Sequence, residues 1–409
     1  MKENDLIPHL FRTEFGKITA VISRLMGVEH LEVAEDIASE TFLSALETWS
    51  YKGTPPNPVA WLYIVAKNKA RNYLQRSDLF NNKIAPEFNS LPETGESFEI
   101  DLSEQNITDS QLQMLFAICH PAILAEAQIG LALRFLCGFG IDEIASAFLT
   151  NKETINKRLF RAKEKMRTQQ IKIEFPPAEE VNNRLNAVLT TLCLLYNEGY
   201  YSETDNNILR EDLCLEAMRL TYLLLENPST NQPQVKALFA LMCFHTSRFP
   251  ARKDKNGQIV LYEDQDESLW NREMISKGAY YLHLSSVGTE FSKYHIQASI
   301  AWWNTQKTDS TEKWGNILQL YNRLLQLEYS PIAALNRTYA LAKVKGNEVA
   351  IVEAEKLQLL QNHYYFSLLG ELYTGLDNIE AKLNFEKALA LAKTNTDKQL
   401  IKNKLSKLF

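Results

Sequence analysis

Residues 138–167 read GFGIDEIASAFLTNKETINKRLFRAKEKMR, and the spacing within them decides how the rest of the chain is organised. Apolar Ile141, Ile144, Ala145 and Phe148 recur every three or four positions, which predicts a short amphipathic helix from Ile141 to about Leu149. Thr150 and Asn151 then break the pattern with turn- and cap-forming side chains. A second helix is predicted from Lys152, with Ile155, Leu159, Ala162 and Met166 inward. This is helix-turn-helix spacing. Lys152, Thr154, Asn156, Lys157, Arg158, Arg161, Lys163, Lys165 and Arg167 face outward, opposed only by Glu153 and Glu164. Such a helix can set its N-terminal side chains against major-groove base edges while the later cations hold phosphates. A solvated basic face on an ordinary helical hairpin is the plainer reading, and a second basic helix upstream counts against it.

Composition bounds the remainder. The 409 residues allow two or three domains, and 45% apolar residues suffice for buried cores. The formal net charge is −6, so any nucleic-acid contact must come from local basic surfaces rather than from the molecule as a whole. Five cysteines, Cys119, Cys137, Cys193, Cys214 and Cys243, lie far apart within apolar helical patterns and read as reduced core thiols. A metal site pairing Cys119 and His120 with Cys243 and His245 lacks any supporting spacing, and no metal or cofactor is expected. Neither a secretory signal nor a run of about 18 apolar residues is visible, so the expectation is a cytoplasmic protein with no membrane span.

In chain order, Phe11, Phe15, Ile18, Ile22 and Leu25 mark a helix from Leu10 to Leu25 that Gly27 stops. A second helix, Leu31 to Trp49, turns Ala34, Ala38, Phe42, Ala45 and Trp49 inward and Glu32, Glu35, Asp36, Glu40 and Glu47 outward. That acidic face is either solvated or a docking surface for a basic partner. The loop from Ser50 to Pro58, forced by Gly53 and three prolines, opens a third helix from Val59 to Arg76. Here Trp61, Tyr63 and Tyr73 alternate with Lys67, Asn68, Lys69, Arg71, Asn72 and Arg76, with no acid between Trp61 and Arg76. Aromatic faces hold unstacked bases, cations neutralise phosphates and amides read base edges, which is what single-stranded DNA binding requires. Taken alone, Trp61 and Tyr73 each read first as core residues, since Leu62, Val65, Ala66 and Leu74 lie within helical reach.

Periodicity disappears from Asp78 to Gln105, where seven acids face only Lys83 among Pro86, Pro92 and Gly95; this predicts an acidic linker over 78–107. A second module, 108–172, begins near Thr108 with Leu112, Leu115, Phe116 and Ile118, restarts at Pro121 and leads into the helix-turn-helix.

The order EDIASETFLSAL, AWLYIVAKNKARNYLQR, acidic linker, EIASAFLTNKETINKRLFRAKEKMR resembles bacterial RNA polymerase sigma factors of the extracytoplasmic-function (ECF) group. The likeness covers about the first 170 residues, with 1–77 as sigma domain two and 108–172 as sigma domain four. It implies that Asp36, Glu40, Phe42 and Leu43 dock on core RNA polymerase. It implies that Lys52 and Asn57, in the loop, and Trp61, Lys67, Asn68, Arg71, Asn72 and Arg76, on the helix, melt and read the minus-ten element. Lys152, Thr154, Asn156, Lys157, Arg158 and Arg161 would enter the major groove of the minus-thirty-five element. The partners implied are core polymerase and promoter DNA, duplex and melted. Catalysis would belong to the polymerase, so no enzymatic site is expected.

Beyond Phe175-Pro176-Pro177 helical periodicity resumes with Leu185, Val188, Leu189, Leu192 and Leu195. Helices are expected near 210–226, 232–246, 269–284, 293–305 and 311–327, with four more to the end and one extended segment at Gln258 to Tyr262. Leu335, Tyr339, Ile351 and Ala354 recur 34 residues later as Leu369, Tyr373, Phe385 and Ala388, the tetratricopeptide period. The expected fold is therefore all-α, two small helical modules followed by an α-solenoid over 177–409 with a concave face for a protein or peptide. Its LYNEGY and YEDQD stretches resemble those of sigma factors with a long helical extension thought to regulate activity.

Two other functions compete. A ligand- or peptide-sensing regulator could couple the solenoid to a single helix-turn-helix, but it leaves Trp61 to Arg76 without a task. A carboxylate-site enzyme could use Glu263, Asp264, Asp266 and Glu267 beside Arg248 and Arg252, although a solvated loop or salt-bridge network accounts for the same residues.

Overall fold

The computed structural model describes residues 3–76, 100–148, 150–200, 211–254, 260–287 and 291–408, which form eighteen α-helices and no strand. They fall into two compact units, Met1–Leu195 and Tyr196–Phe409.

In the first unit, α1 (Glu3–Met26) is the central helix, packed against α2 (Leu31–Lys52), α3 (Pro58–Arg76), α4 (Glu104–Ile118) and α5 (Ala125–Phe135). Gly27 ends α1 at φ 85°, a left-handed conformation that costs a glycine nothing. The faces expected from periodicity are the buried ones: Phe15, Ile18 and Ile22 meet Ala34, Ala38, Phe42, Ala45 and Trp49 of α2 and Leu62, Ala66, Ala70 and Leu74 of α3. The alanines let three helices approach closely around the aromatics, each of which contributes about 1.5–3 kcal/mol by leaving water. The α2 helix runs one turn past Trp49 to Lys52, and Gly53 closes it by donating its N–H to the Trp49 carbonyl at 3.0 Å.

The linker expected over 78–107 lies outside the described residues from 77 to 99, and its last part is helix. Ser103 accepts from the Asn106 N–H, and the Asp101 carboxylate holds the Ser103 N–H at 2.8 Å and hydroxyl at 3.0 Å. This cap starts α4 at Glu104, four residues before the expected Thr108. The helix-turn-helix follows as α6 (Ile141–Ala147) and α7 (Lys152–Thr168), with Asn151 Oδ1 accepting from the Thr154 N–H at 2.8 Å. The first helix is shorter than expected, and Leu149 lies outside the described residues. Ile155, Leu159, Ala162 and Met166 are all buried.

The compact division falls within α8 (Ala178–Tyr200), not at Pro176-Pro177. The N-terminal part of α8 belongs to the first unit: Arg184 donates to the Phe116 carbonyl at 2.6 Å, and Thr191 Oγ1 to Gln128 Oε1 at 2.7 Å.

The second unit continues with α9 (Glu211–Glu226), α10 (Pro233–Thr246), α11 (Arg272–Ser285), α12 (Lys293–Trp303) and α13 (Thr311–Leu327). Five helices follow instead of four: α14 (Pro331–Lys345), α15 (Asn347–Glu355), α16 (His363–Tyr373), α17 (Asn378–Leu391) and α18 (Asn395–Leu405). The 34-residue repeat holds in three dimensions. Leu335, Ile351, Ala354, Leu369, Phe385 and Ala388 share one core, with Tyr339 and Tyr373 at its edge. Of the extended segment expected at Gln258–Tyr262, Val260 donates its N–H to the Arg252 carbonyl at 2.9 Å and Leu261 is extended. Residues 255–259 lie outside the described set, and Tyr262 begins a 3₁₀ turn, Tyr262–Asp264.

Candidate nucleic-acid and polymerase interfaces

The α3 helix has no acid in its first turn or after it, and its outward side carries Asn68, Asn72 and Arg76 at four-residue spacing, all exposed. Ile64, 58% exposed, and the half-buried Trp61 extend this strip toward the loop. The Trp61 ring meets Trp49 edge-on at 5.3 Å, so it is anchored on the core while part of it stays open. Trp61 thus packs on the core with part of its ring exposed. Tyr63 and Tyr73 belong to the packed side, and the Tyr63 hydroxyl donates to Glu14 at 2.6 Å. Lys67 lies near Asp101, and Arg71 is half-buried. Lys69 pairs with Glu40 at 3.1 Å. Lys52 is exposed at the end of α2, and Asn57 is exposed with its Oδ1 engaged by the Ala60 N–H at 3.0 Å.

On α2 the exposed ridge is Asp36, Glu40 and Leu43, continued by Leu46 and Tyr51, which are 49% and 91% exposed. Phe42 is not on it. Its ring lies in the core, 3% exposed and 5.0 Å from Phe11, so it is withdrawn from the docking surface. Residues 42 and 43 of one helix point about 100° apart, and the α2 pattern already placed Phe42 inward. Leu46 was missed although it sits three residues beyond Leu43 on the same face.

On α7, Lys152, Thr154, Asn156, Lys157 and Arg161 are exposed. Lys152 pairs with Asp142 and Lys157 with Glu153, each at 2.6 Å between exposed groups that separate at little cost. Arg158 is tied down: it meets Glu126 at 3.0 Å and lies 5.4 Å over the Phe148 ring. Phe160, 58% exposed, stands between Asn156 and Arg161 and was not singled out from the sequence. Its exposure is a signal that only packing reveals.

The C-terminal half of α7 faces α2 instead. Lys163 Nζ lies 2.6 Å from Glu32, and Arg167 lies 3.2 Å from the same carboxylate and 2.6 Å from Glu164. The Lys163 hydrogen bond holds the Glu32 carboxyl below its ordinary value, against a smaller opposing effect of burial. Arg134 of α5 donates to Glu35 through Nε at 2.7 Å and through Nη2, and to the Phe139 carbonyl at 3.0 Å.

The α3 strip lies within a segment that the comparisons with known proteins match. Residues 10–79 match sigma-70 region 2, and residues 184–286 match a family of unknown function (DUF6596). An uncharacterized protein of Rhizobium meliloti (strain 1021) is 34% identical over 386 residues, covering 93% of this chain and 90% of that protein. The RNA polymerase sigma-H factor of Pseudomonas aeruginosa is 28% identical over 155 residues, 36% of this chain and 77% of its own length. The ECF RNA polymerase sigma-E factor of Escherichia coli (strain K12) is 26% identical over 152 residues, 36% of this chain and 78% of its own.

The chain carries a sigma-70 region 2 module, is homologous over its N-terminal part to ECF sigma factors, and adds a long helical C-terminal extension.

No solved structure matches this sigma factor. The sigma-factor family is not enzymatic, and two of the four carboxylates that suggested otherwise have structural partners. Glu263 accepts from the Tyr339 hydroxyl at 2.7 Å, and Asp266 caps a 3₁₀ turn through the Ser268 N–H at 2.9 Å. No three His, Cys, Asp or Glu side chains among the described residues are grouped to hold a metal. Burial pushes the Cys119 and Cys243 thiols up to about 12 each, which keeps them protonated. Among the described residues no helix is long and apolar enough to cross a membrane.

Proposed function

We propose that this sigma factor binds core RNA polymerase through the Asp36–Glu40–Leu43 ridge of α2 and directs it to promoters through two helices. In this reading residues 1–77 melt and hold the minus-ten strand, with Asn68, Asn72 and Arg76 toward the strand and Trp61 as a stacking wedge. Residues 108–172 read the minus-thirty-five duplex with Thr154, Asn156, Lys157 and Arg161 leading. Unstacking costs a few kcal/mol per step, which aromatic stacking and phosphate contacts offset.

The observation that carries this reading is the uncovered, acid-free strip of α3 in a segment matching sigma-70 region 2. A helix-turn-helix regulator alone would give that strip no work. Arg158 joins the duplex-reading residues only once it leaves Glu126, since Glu126 and Phe148 hold its guanidinium in the free chain. The C-terminal extension is assigned regulation of the first unit.

Run-off transcription with purified core polymerase and a library of promoters tests the proposal, comparing the full chain with one ending at Tyr200. A shorter chain ending near Gln170 would strip the buried face of α8 from the first unit and confound the comparison. Absence of polymerase binding and of any start site with the full chain would refute the proposal.

A further inference from the structure

Tyr200 and Tyr262, from the LYNEGY and YEDQD stretches singled out in the sequence, have no part in the function proposed above, yet the second unit folds both against one pair of arginines. Arg248, two residues past α10, donates through Nη2 to the Tyr200 hydroxyl at 3.1 Å and lies 5.4 Å over the Tyr262 ring. Arg252 lies 3.9 Å over the Tyr200 ring, and the His245 ring stands 4.6 Å from the same phenol. The 3₁₀ turn Phe249–Ala251 between the two arginines keeps both guanidiniums on Tyr200. A third cation, Lys313, is 2% exposed and donates to the Tyr262 hydroxyl at 3.1 Å.

Among the described residues no carboxylate stands at ion-pair distance from Arg248, Arg252 or Lys313. The acids of the neighbourhood are engaged elsewhere: Glu211 with Lys253 at 3.6 Å, Asp309 with Lys343 at 3.3 Å, and Glu263 with the Tyr339 hydroxyl at 2.7 Å. Buried donors are left over as well. Arg252 Nη1, His245 Nδ1 and the Nε1 of Trp270, which stacks on Tyr262 at 6.2 Å, have no hydrogen-bond partner. Like charges gathered without a counter-charge repel, and an unsatisfied buried donor is costly, so the cluster is worse off alone than with an anion. Desolvation, then the two arginines, hold His245 well below the ordinary imidazole value, so it stays neutral and adds no further charge.

We propose that Arg248 and Arg252, with His245 beside them, bind the phosphate group of a small molecule. A guanidinium stacked on an aromatic ring keeps its N–H edge for a planar fork of oxygens. Both arginine side chains are only half-buried, which leaves an anion a way to them. A phosphate carries about −1.5 to −2 charges near neutral pH and matches two arginines, whereas one carboxylate would leave the second unmatched. Binding itself does not depend on the function proposed above. Its consequence does: occupancy gives the extension, assigned regulation there, a signal to read.

Titration of the full chain with inorganic phosphate, followed by phosphorus NMR line width at constant ionic strength, should show saturable binding. Arg252→Met, which keeps the bulk and removes the charge, should weaken it at least ten-fold. Arg252→Lys, which keeps the charge without the fork, should fall between, and Arg323→Met, at an exposed position of α13, should bind like the unaltered chain. Sulfate, also a dianion, should displace the phosphate, and acetate should not. Tighter binding of phenyl phosphate identifies an ester as the source, and binding of inorganic phosphate alone identifies the free ion; either supports the site. Without phosphate, Arg252→Met should melt no lower than the unaltered chain, because it sheds an unmatched cation. No saturable binding, displacement by acetate as effective as by sulfate, or affinity unchanged in both Arg252 variants overturns the proposal. A melt lowered alike in both variants marks the guanidinium as a strut for Tyr200 and overturns it too. Phosphate binding by a chain that fails to bind core polymerase supports the site while refuting the function proposed above.

Discussion

Removing an acid from this sigma factor should tighten its grip on DNA, because Glu126 competes for Arg158. The guanidinium stands 3.0 Å from the Glu126 carboxylate, with side chains 26% and 74% exposed. An ion pair at that exposure contributes about 0–1 kcal/mol. Arg158 must leave Glu126 before it can touch promoter, so Glu126→Ala returns at most that energy and tightens binding by up to about five-fold. Arg161 has no such tie among the described residues, and Arg161→Ala loses its whole contact, about 1–3 kcal/mol if it reads a base. Arg158→Ala loses a contact less the ion pair, roughly 0–3 kcal/mol. In an Arg158→Ala background Glu126→Ala should do nothing, which makes the pair a closed cycle. The assay is equilibrium binding of reconstituted holoenzyme to a promoter recovered from a random library, repeated across salt. If Arg161 holds a phosphate instead of a base, its loss lowers the salt slope by about 0.9 and affects all sequences alike. Weaker binding by Glu126→Ala, or unaltered binding by Arg161→Ala, refutes the reasoning.

Three further outcomes can be checked separately. Trp61→Ala should slow opening of duplex promoter more than it weakens binding to a pre-melted one, and equal losses on both would leave Trp61 a core residue only. Gly370→Ala should destabilise the second unit, because its Cβ would stand 2.8 Å from the buried Phe385 ring; overpacking of about 1–3 kcal/mol outweighs the ~1 kcal/mol gained in helix propensity. Gly315→Ala in α13 meets nothing within 4 Å and should stabilise by about 0.5–1 kcal/mol, so thermal melts that rank the two variants the other way would contradict the packing. Desolvation, then the charges of Arg248 and Arg252, hold His245 well below the ordinary imidazole value. The unfolded chain therefore takes up the extra proton, and stability present above about pH 6.5 is lost as pH falls through it, by up to ~1.4 kcal/mol per unit. His245→Phe should flatten that part of the curve between pH 7 and 5, and an unaltered slope would place its origin elsewhere.

Much of the fold was written in local spacing. A helix buries whichever face carries its apolar residues, so Phe15, Ile18 and Ile22, the inward row of α2 and the four inward residues of α7 could be named from the chain alone. The same holds for the 34-residue echo of Leu335 in Leu369 and of Ile351 in Phe385, because stacked hairpins repeat one packing problem. The exposed polar strips of α3 and α7 are the complements of those buried rows and were legible for the same reason. Phe42 was misplaced where likeness to a family was carried over one residue past what the helical period allowed.

Three-dimensional packing decided what spacing leaves open. Glu32 and Glu35 read as one acidic face, yet their partners Lys163, Arg167 and Arg134 lie about a hundred residues or more away and could be assigned only once α7 and α5 were folded onto α2. Likewise Gly16 shows no local reason to be glycine; the Leu136 carbonyl supplies it from another helix. Periodicity determines which side of a helix leaves water, because that depends only on the order of its own residues. Which surface receives that side, and which charges then meet, depends on shape and distance across the chain, and no local pattern carries that information.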